Sequence, residues 1–157
     1  MIKIKQAEIN DIATIHDIMM QAFEEYRNVI PPSSALEETV ESIFESMSFD
    51  GEKSAILYEN ETAVGMIRFK QMEHDIYFYR LSVLPSKRRN GYGKRLIEWL
   101  EDYGREHQCQ SITCKVRKDV STNIALYESL GFNITDQEVI TKPSGESVEV
   151  VSMKRKL

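Results

Sequence analysis

Ile2 and Ile4 alternate with Lys3 and Lys5, the period-two pattern of a strand with one buried face. The period lengthens after Asn10 and Asp11, either of which can cap a helix. Ile12, Ile15, Ile18, Met19, Ala22, Phe23 and Tyr26 then recur at spacings of three and four, so one apolar stripe faces a core and Asp17, Gln21, Glu24 and Glu25 face water. Pro31-Pro32-Ser33-Ser34 interrupts the chain and caps a second predicted helix, in which Leu36, Val40, Ile43, Phe44 and Met47 repeat the stripe until Phe49-Asp50-Gly51.

Residues 54–59 and 63–72 are aliphatic and aromatic and flank Asn60-Glu61, which predicts a hairpin; residues 76–84 supply a third strand after His74-Asp75. From Gly91 to His107 the period is helical, with Leu96, Ile97, Leu100, Tyr103 and Gly104 on one side. Residues 111–116 return to strand alternation, 121–130 form a short helix stopped by Gly131, and 132–140 with 147–153 form a closing hairpin around Lys142–Glu146. The order β-α-α-β-β-β-α-β-α-β-β predicts an α/β (α+β) fold. Its sheet, of about seven strands, is mixed and mostly antiparallel, with four helices over both faces and one parallel step where the Gly91 helix crosses over.

At 157 residues, with 41% hydrophobic and 29% charged positions, the chain suits a single domain spanning 1–157. Its net charge of −5 disfavours nucleic acid and anionic membranes as partners. The amino-terminal stretch reads as neither signal nor transit peptide, and no apolar run reaches the length of a membrane span, so a cytoplasmic location is expected. Cys109 and Cys114 lack Cys-x-x-Cys spacing and read as reduced structural thiols. His16, His74 and His107 have no second ligand at metal spacing, and no metal site is expected.

Against this acidic background, Lys87, Arg88, Arg89, Lys94 and Arg95 place five cations within nine residues. Gly91 and Gly93 lie among them where a strand gives way to a helix, so backbone N–H groups at the positive end of the helix dipole can approach a phosphate closely. A diphosphate fits this arrangement. Neither a Walker loop nor a dinucleotide fingerprint is present.

The stretch Arg88-Arg89-Asn90-Gly91-Tyr92-Gly93 resembles the pyrophosphate loop [QR]-x-x-G-x-[GA] of the GNAT superfamily of N-acetyltransferases, and Tyr127-Glu-Ser-Leu-Gly131-Phe132 resembles that family's tyrosine before Gly-Phe. The resemblance spans essentially the whole chain. It implies acetyl-CoA as cosubstrate, with the diphosphate on Arg88, Arg89, Asn90, Gly91, Tyr92, Gly93 and Lys94. Pantetheine would lie in a gap between splayed central strands, against the backbone of Leu81 and Val83. It also implies Tyr127 as hydrogen-bond or proton donor to the leaving thiolate.

Two departures from the family pattern stand out. No carboxylate occupies residues 76–83, where many relatives carry a base, and Val120 stands where many carry a pantetheine-binding asparagine. Asn123 either reaches the cofactor or helps cap its helix. Glu24, Glu25 and Tyr79 are candidates for contact with the acceptor, expected to be a small-molecule amine or a peptide. A homodimer is an admissible assembly. The expected reaction is acetyl transfer to a primary amine by direct attack in a ternary complex; the rival reading is a noncatalytic acyl-CoA-binding sensor or interaction module.

Overall fold

The computed structural model describes residues 1–29 and 31–157. These residues form seven strands: β1 (Ile2–Gln6), β2 (Lys53–Glu59), β3 (Thr62–Met72), β4 (Asp75–Val83), β5 (Ser111–Arg117), β6 (Asn133–Thr141) and β7 (Ser147–Lys156). They build one sheet in the order β1-β2-β3-β4-β5-β7-β6, antiparallel throughout except for the parallel pair β4–β5. Among the described residues there are four α-helices: α1 (Ile12–Phe23), α2 (Val40–Phe49), α3 (Tyr92–Glu106) and α4 (Ser121–Ser129).

The two apolar stripes read from the sequence cover opposite faces of this sheet. Ile12, Ile15, Ile18 and Met19 of α1 and Ile43 of α2 pack on Ile56 and Met66. On the other face Leu96, Ile97, Leu100 and Tyr103 of α3 and Tyr127 of α4 pack on Leu57, Ile67, Phe69, Ile76 and Phe78. Each such aliphatic side chain contributes about 1.5–3 kcal/mol by leaving water. Gly104 lets α3 lie close to the sheet, since a methyl group there would come within 2.7 Å of Leu157 and 3.4 Å of Ile76. The β2–β3 turn places Asn60 and Glu61 at φ 48° and 74°, the paired left-handed geometry of a two-residue hairpin.

Two local expectations are corrected. Ser33 caps only a single 3-10 turn, Ser34–Glu37, and the α-helix starts at Val40 behind a Thr39–Ser42 capping box. Phe44 is consequently on the outer face of α2 and 45% exposed. The last turn expected of α1 is likewise a 3-10 turn over Glu24–Tyr26.

Candidate functional site

Strands β4 and β5 pair over only three residues, Asp75–Tyr77 against Ser111–Thr113, and then part. Ser111 Oγ and Thr113 Oγ1 both donate to Asp75 Oδ1, at 2.6 and 2.9 Å, and fasten the closed end of the fork. Beyond Tyr77 the edge of β4 that faces β5 has no strand partner among the described residues, so its backbone polar groups border an open gap. A bulge follows in β4. Met66 is opposite Ser82 and Arg68 opposite Tyr79, which leaves Arg80 and Leu81 facing the single residue Ile67. Arg80 occupies a left-handed φ of 54°, a conformation that costs an arginine about 1–3 kcal/mol. The extra residue shifts the alternation: Tyr77 and Tyr79 share the face of Arg68, whereas Leu81 and Val83 pack with the α3 core.

One end of the gap is a cavity of about 410 Å³ lined by Leu81, Val83, Arg88, Arg89, Gly91 and Lys94, among others. Gly91 caps α3 at φ 74°, and a side chain built there would meet nothing within 4 Å, so open space lies before the helix. The N–H groups of the first helical turn, residues 92–94, have no intrahelical acceptor and carry the positive end of the dipole. The loop is braced from three sides. Arg88 donates to Glu25 Oε2 at 2.6 Å and to the Ala22 carbonyl at 2.9 Å, tying the loop to the end of α1. Lys87 donates to Glu59 at 2.7 Å, and the Tyr92 hydroxyl donates to the other oxygen of that carboxylate. These two donors, Lys87 foremost, hold the Glu59 carboxyl below its ordinary pKa. Asn90 turns inward and donates to the Lys87 carbonyl at 2.9 Å. Arg89 and Lys94 remain exposed beside the cavity. A glycine-opened helix start, exposed cations and room in front of them suit a diphosphate.

The other end is a larger cavity, about 600 Å³, and the two share Phe23, Tyr26, Leu81 and Asn123 in their walls. Tyr127 reaches this cavity from α4, with its ring edge-on to Phe78 and tilted against Phe132. The residue is 7% exposed, and burial pushes its phenol well above the usual tyrosine range. Its hydroxyl has no protein partner among the described residues, and no wholly buried polar side-chain atom there lacks one, so the hydroxyl opens to the cavity. Cys114 also lines the cavity, and burial pushes its thiol up to about 12.

Beside these groups lies an ion network that the sequence alone does not announce. Arg68, 2% exposed, donates to both oxygens of Glu52 at 2.8 and 2.9 Å and to both of Glu38 at 2.8 and 2.9 Å. Burial opposes its charge, but the two carboxylates outweigh that and raise its pKa. Arg80 shares Glu38 at 2.8 Å and donates to Ser34 Oγ at 3.1 Å. The Tyr79 hydroxyl donates to Glu52, and burial followed by this acceptor pushes the Tyr79 phenol far up. The network joins the α1–α2 connection to strands β3 and β4 and forms one wall of the cavity.

The structure thus gathers Leu81, Val83, Arg88, Arg89, Gly91, Tyr92, Gly93, Lys94 and Asn123 around the smaller cavity, and Tyr79, Asn123 and Tyr127 around the larger. Glu25 lines the smaller one as the partner of Arg88. Glu24 lies outside both and pairs with Arg27 at 2.7 Å on the surface. Lining residues that sequence reasoning missed are Arg68, Lys70, Arg80 and Glu52, whereas Glu38, which with Glu24, Glu25 and Glu37 reads in the sequence as an acidic region able to attract a cation, is paired with Arg68 and Arg80. A signal for one of them was present: an arginine in the apolar run Val64–Phe69 has to find a buried counter-ion.

Residues 13–132 match the acetyltransferase (GNAT) family. The [ribosomal protein bS18]-alanine N-acetyltransferase of Haemophilus influenzae is 29% identical over 99 residues, which are 62% of this chain and 67% of that protein. The ribosomal-protein-S18-alanine N-acetyltransferase of Escherichia coli superposes with a TM-score of 0.78 at 22% identity, over 99% of this chain and 94% of the other. A PaiA N-acetyltransferase from Thermoplasma acidophilum, in complex with coenzyme A, gives 0.79 at 17% identity over 100% and 99%. With the forked sheet and the glycine-opened α3 in place, these likenesses mean that the chain belongs to the GNAT family of acetyltransferases.

Proposed function

We propose that the protein transfers the acetyl group of acetyl-CoA to a primary amine of a small molecule or peptide, by direct attack in a ternary complex. The observation that carries this reading is the meeting of two cavities at the fork of β4 and β5, one suited to a diphosphate and the other walled by Tyr127. The Arg88–Lys94 loop holds the diphosphate. The free edge of β4 at Leu81 and Val83 pairs with the pantetheine amides as an added strand would, and a backbone N–H there stabilises the thioester oxyanion. The amine nitrogen forms a bond to the acetyl carbon, the carbon–sulfur bond breaks, and sulfur leaves as thiolate.

Tyr127 donates a hydrogen bond to that thiolate. Its raised pKa keeps the phenol protonated and makes full proton transfer uphill, so its contribution is charge stabilisation as sulfur becomes negative. The carboxylates of the larger cavity, Glu38 and Glu52, are committed to Arg68. The amine therefore arrives neutral and releases its proton to solvent. An acetyl-enzyme is disfavoured because the lining thiol, Cys114, is un-ionised at neutral pH. The name of the Haemophilus relative supports peptide amines within the acceptor range, and buried free thiols suit a reducing cytoplasm.

Incubation with acetyl-CoA and an amine panel, read by mass spectrometry, tests the reading. One acetylated amine should appear per free coenzyme A released, with no acetylated protein on rapid quenching. Tight acetyl-CoA binding with neither product would instead favour a sensor.

A further inference from the structure

The larger cavity is lined by five cations, Arg68, Lys70, Arg80, Lys115 and Arg117, and by two carboxylates, Glu38 and Glu52. Among its lining residues cations thus outnumber carboxylates by three, two of them matched by Glu138 and Asp119 just outside the lining, in a chain whose net charge is −5. The cations are not equally free. Arg68 is saturated by its two carboxylates. Arg117 donates to Asp119 and to the Pro31 carbonyl, and Lys115 pairs with Glu138 at 2.6 Å in a solvent-exposed contact. Arg80 spends one side of its guanidinium on Glu38 and Ser34. Lys70 has no carboxylate within ion-pair distance among the described residues, yet it is half-buried in the cavity wall.

These charges surround an aromatic floor. Tyr77 and Tyr79 lie 5.5 Å apart on β4, Lys70 is directly across from Tyr77 on β3, and Arg80 follows Tyr79 at the bulge. Burial pushes the Tyr77 phenol up while the charges of Lys115 and Arg80 oppose the shift, so both act on that hydroxyl. Glu24 is matched by Arg27, Glu25 by Arg88 and Glu38 by two arginines, so these three acids hold no spare charge for a cation. A polyamine entering here would meet like charge.

We propose that the acceptor is an amine that also bears an anionic group, a carboxylate or a phosphate, bound by Lys70 and Arg80 beside the Tyr77–Tyr79 pair. The proposal rests on the larger cavity being the acceptor site of the transferase. It assigns Lys70 and Arg80 to specificity and leaves bond-making to the groups at the fork.

The test compares ω-amino acids of increasing length with the matching alkylamines, phosphoethanolamine with ethanolamine, and spermidine, by release of coenzyme A. The anionic member of at least one pair should show a kcat/KM at least tenfold higher, with the gap narrowing between 0.1 and 0.5 M salt. The pair with the larger gap identifies the anion, and the best chain length gives its distance from the amine. Lys70→Glu should cut that preference at least tenfold and leave the KM for acetyl-CoA unchanged. Preference for alkylamines or spermidine, or a preference untouched by Lys70→Glu, overturns the proposal. If no amine reacts, the same compounds are titrated calorimetrically into protein loaded with coenzyme A. Binding of the anionic member that Lys70→Glu removes upholds the anion site while the transferase reading falls, and equal or absent binding within every pair overturns the site itself.

Discussion

Replacing Arg68 by methionine removes the one group, among the described residues, that neutralises Glu52 in a wall almost closed to water. The Glu52 side chain is 1% exposed and, among the described residues, would keep only the Tyr79 hydroxyl as donor, whereas Glu38, 20% exposed, would retain Arg80. Stranding one buried charge in this way costs about 3–5 kcal/mol, against a total stability on the order of 5–15 kcal/mol. With a urea slope of about 2 kcal/mol per molar, the unfolding midpoint should fall by roughly 1.5–2.5 M. The single tryptophan, Trp99, stacks on Tyr103 at 5.6 Å in the α3 core and supplies the fluorescence signal. Adding Glu52→Gln to Arg68→Met removes the stranded charge and should restore all but about 1–2 kcal/mol. A loss below about 1 kcal/mol in the single variant, or a double variant no more stable than the single, would refute the reasoning.

Tyr127→Phe keeps the ring and removes the donor, so kcat should fall by roughly tenfold to a thousandfold with little change in acetyl-CoA affinity; an unchanged kcat under chemistry-limited conditions returns the residue to the core. Gly91→Asp places a carboxylate and a side chain at φ 74° before α3 and should abolish coenzyme A binding by calorimetry; wild-type affinity in a folded variant sinks the loop assignment. Glu25→Gln should act on the KM for acetyl-CoA through Arg88, and Glu24→Gln on neither substrate; an effect confined to acceptor KM would place these acids in the acceptor site. With the Cys114 thiol near 12 when folded and about 8.5 when unfolded, its stabilising contribution is complete below about pH 8.5 and declines toward pH 12. Cys114→Ala should flatten that part of the alkaline stability profile, and an unaltered profile contradicts the burial effect.

The elements that satisfy a local period were legible from the sequence: α1 and α3 from their apolar stripes, and the β2–β3 turn from Asn60-Glu61. The Arg88–Gly93 loop was legible because its glycines and cations are contiguous. What escaped depends on pairs distant in sequence. Glu38 and Glu52 meet Arg68 across 30 and 16 positions, and no periodicity encodes that meeting. The start of α2 was misplaced because Ser33-Ser34 and Thr39 both carry capping chemistry. Glu38, held by Arg68 and Arg80, lies in extended backbone between the two caps, so the network coincides with the break that local propensity could not locate. The fork was implied by the family resemblance and by no local pattern, since residues 76–83 show one unbroken strand pattern, and the bulge at Arg80 is visible only in the pairing with β3.

That one surplus residue divides β4 into two compartments with separate histories open to them. Tyr77 and Tyr79, before it, line the larger cavity, while after it Val83 lines the smaller one, Leu81 borders both, and the two pack with the α3 core. On the proposed function, substitution at Tyr77 would retune which molecule is accepted and leave the smaller cavity undisturbed. A one-residue deletion would rotate every later side chain to the opposite face and should be lethal to both halves at once. On that reading Tyr77 is more tolerant of exchange than β4 is of a change in length, and a deep mutational scan should register the boundary as an abrupt shift in permitted residues between 79 and 81.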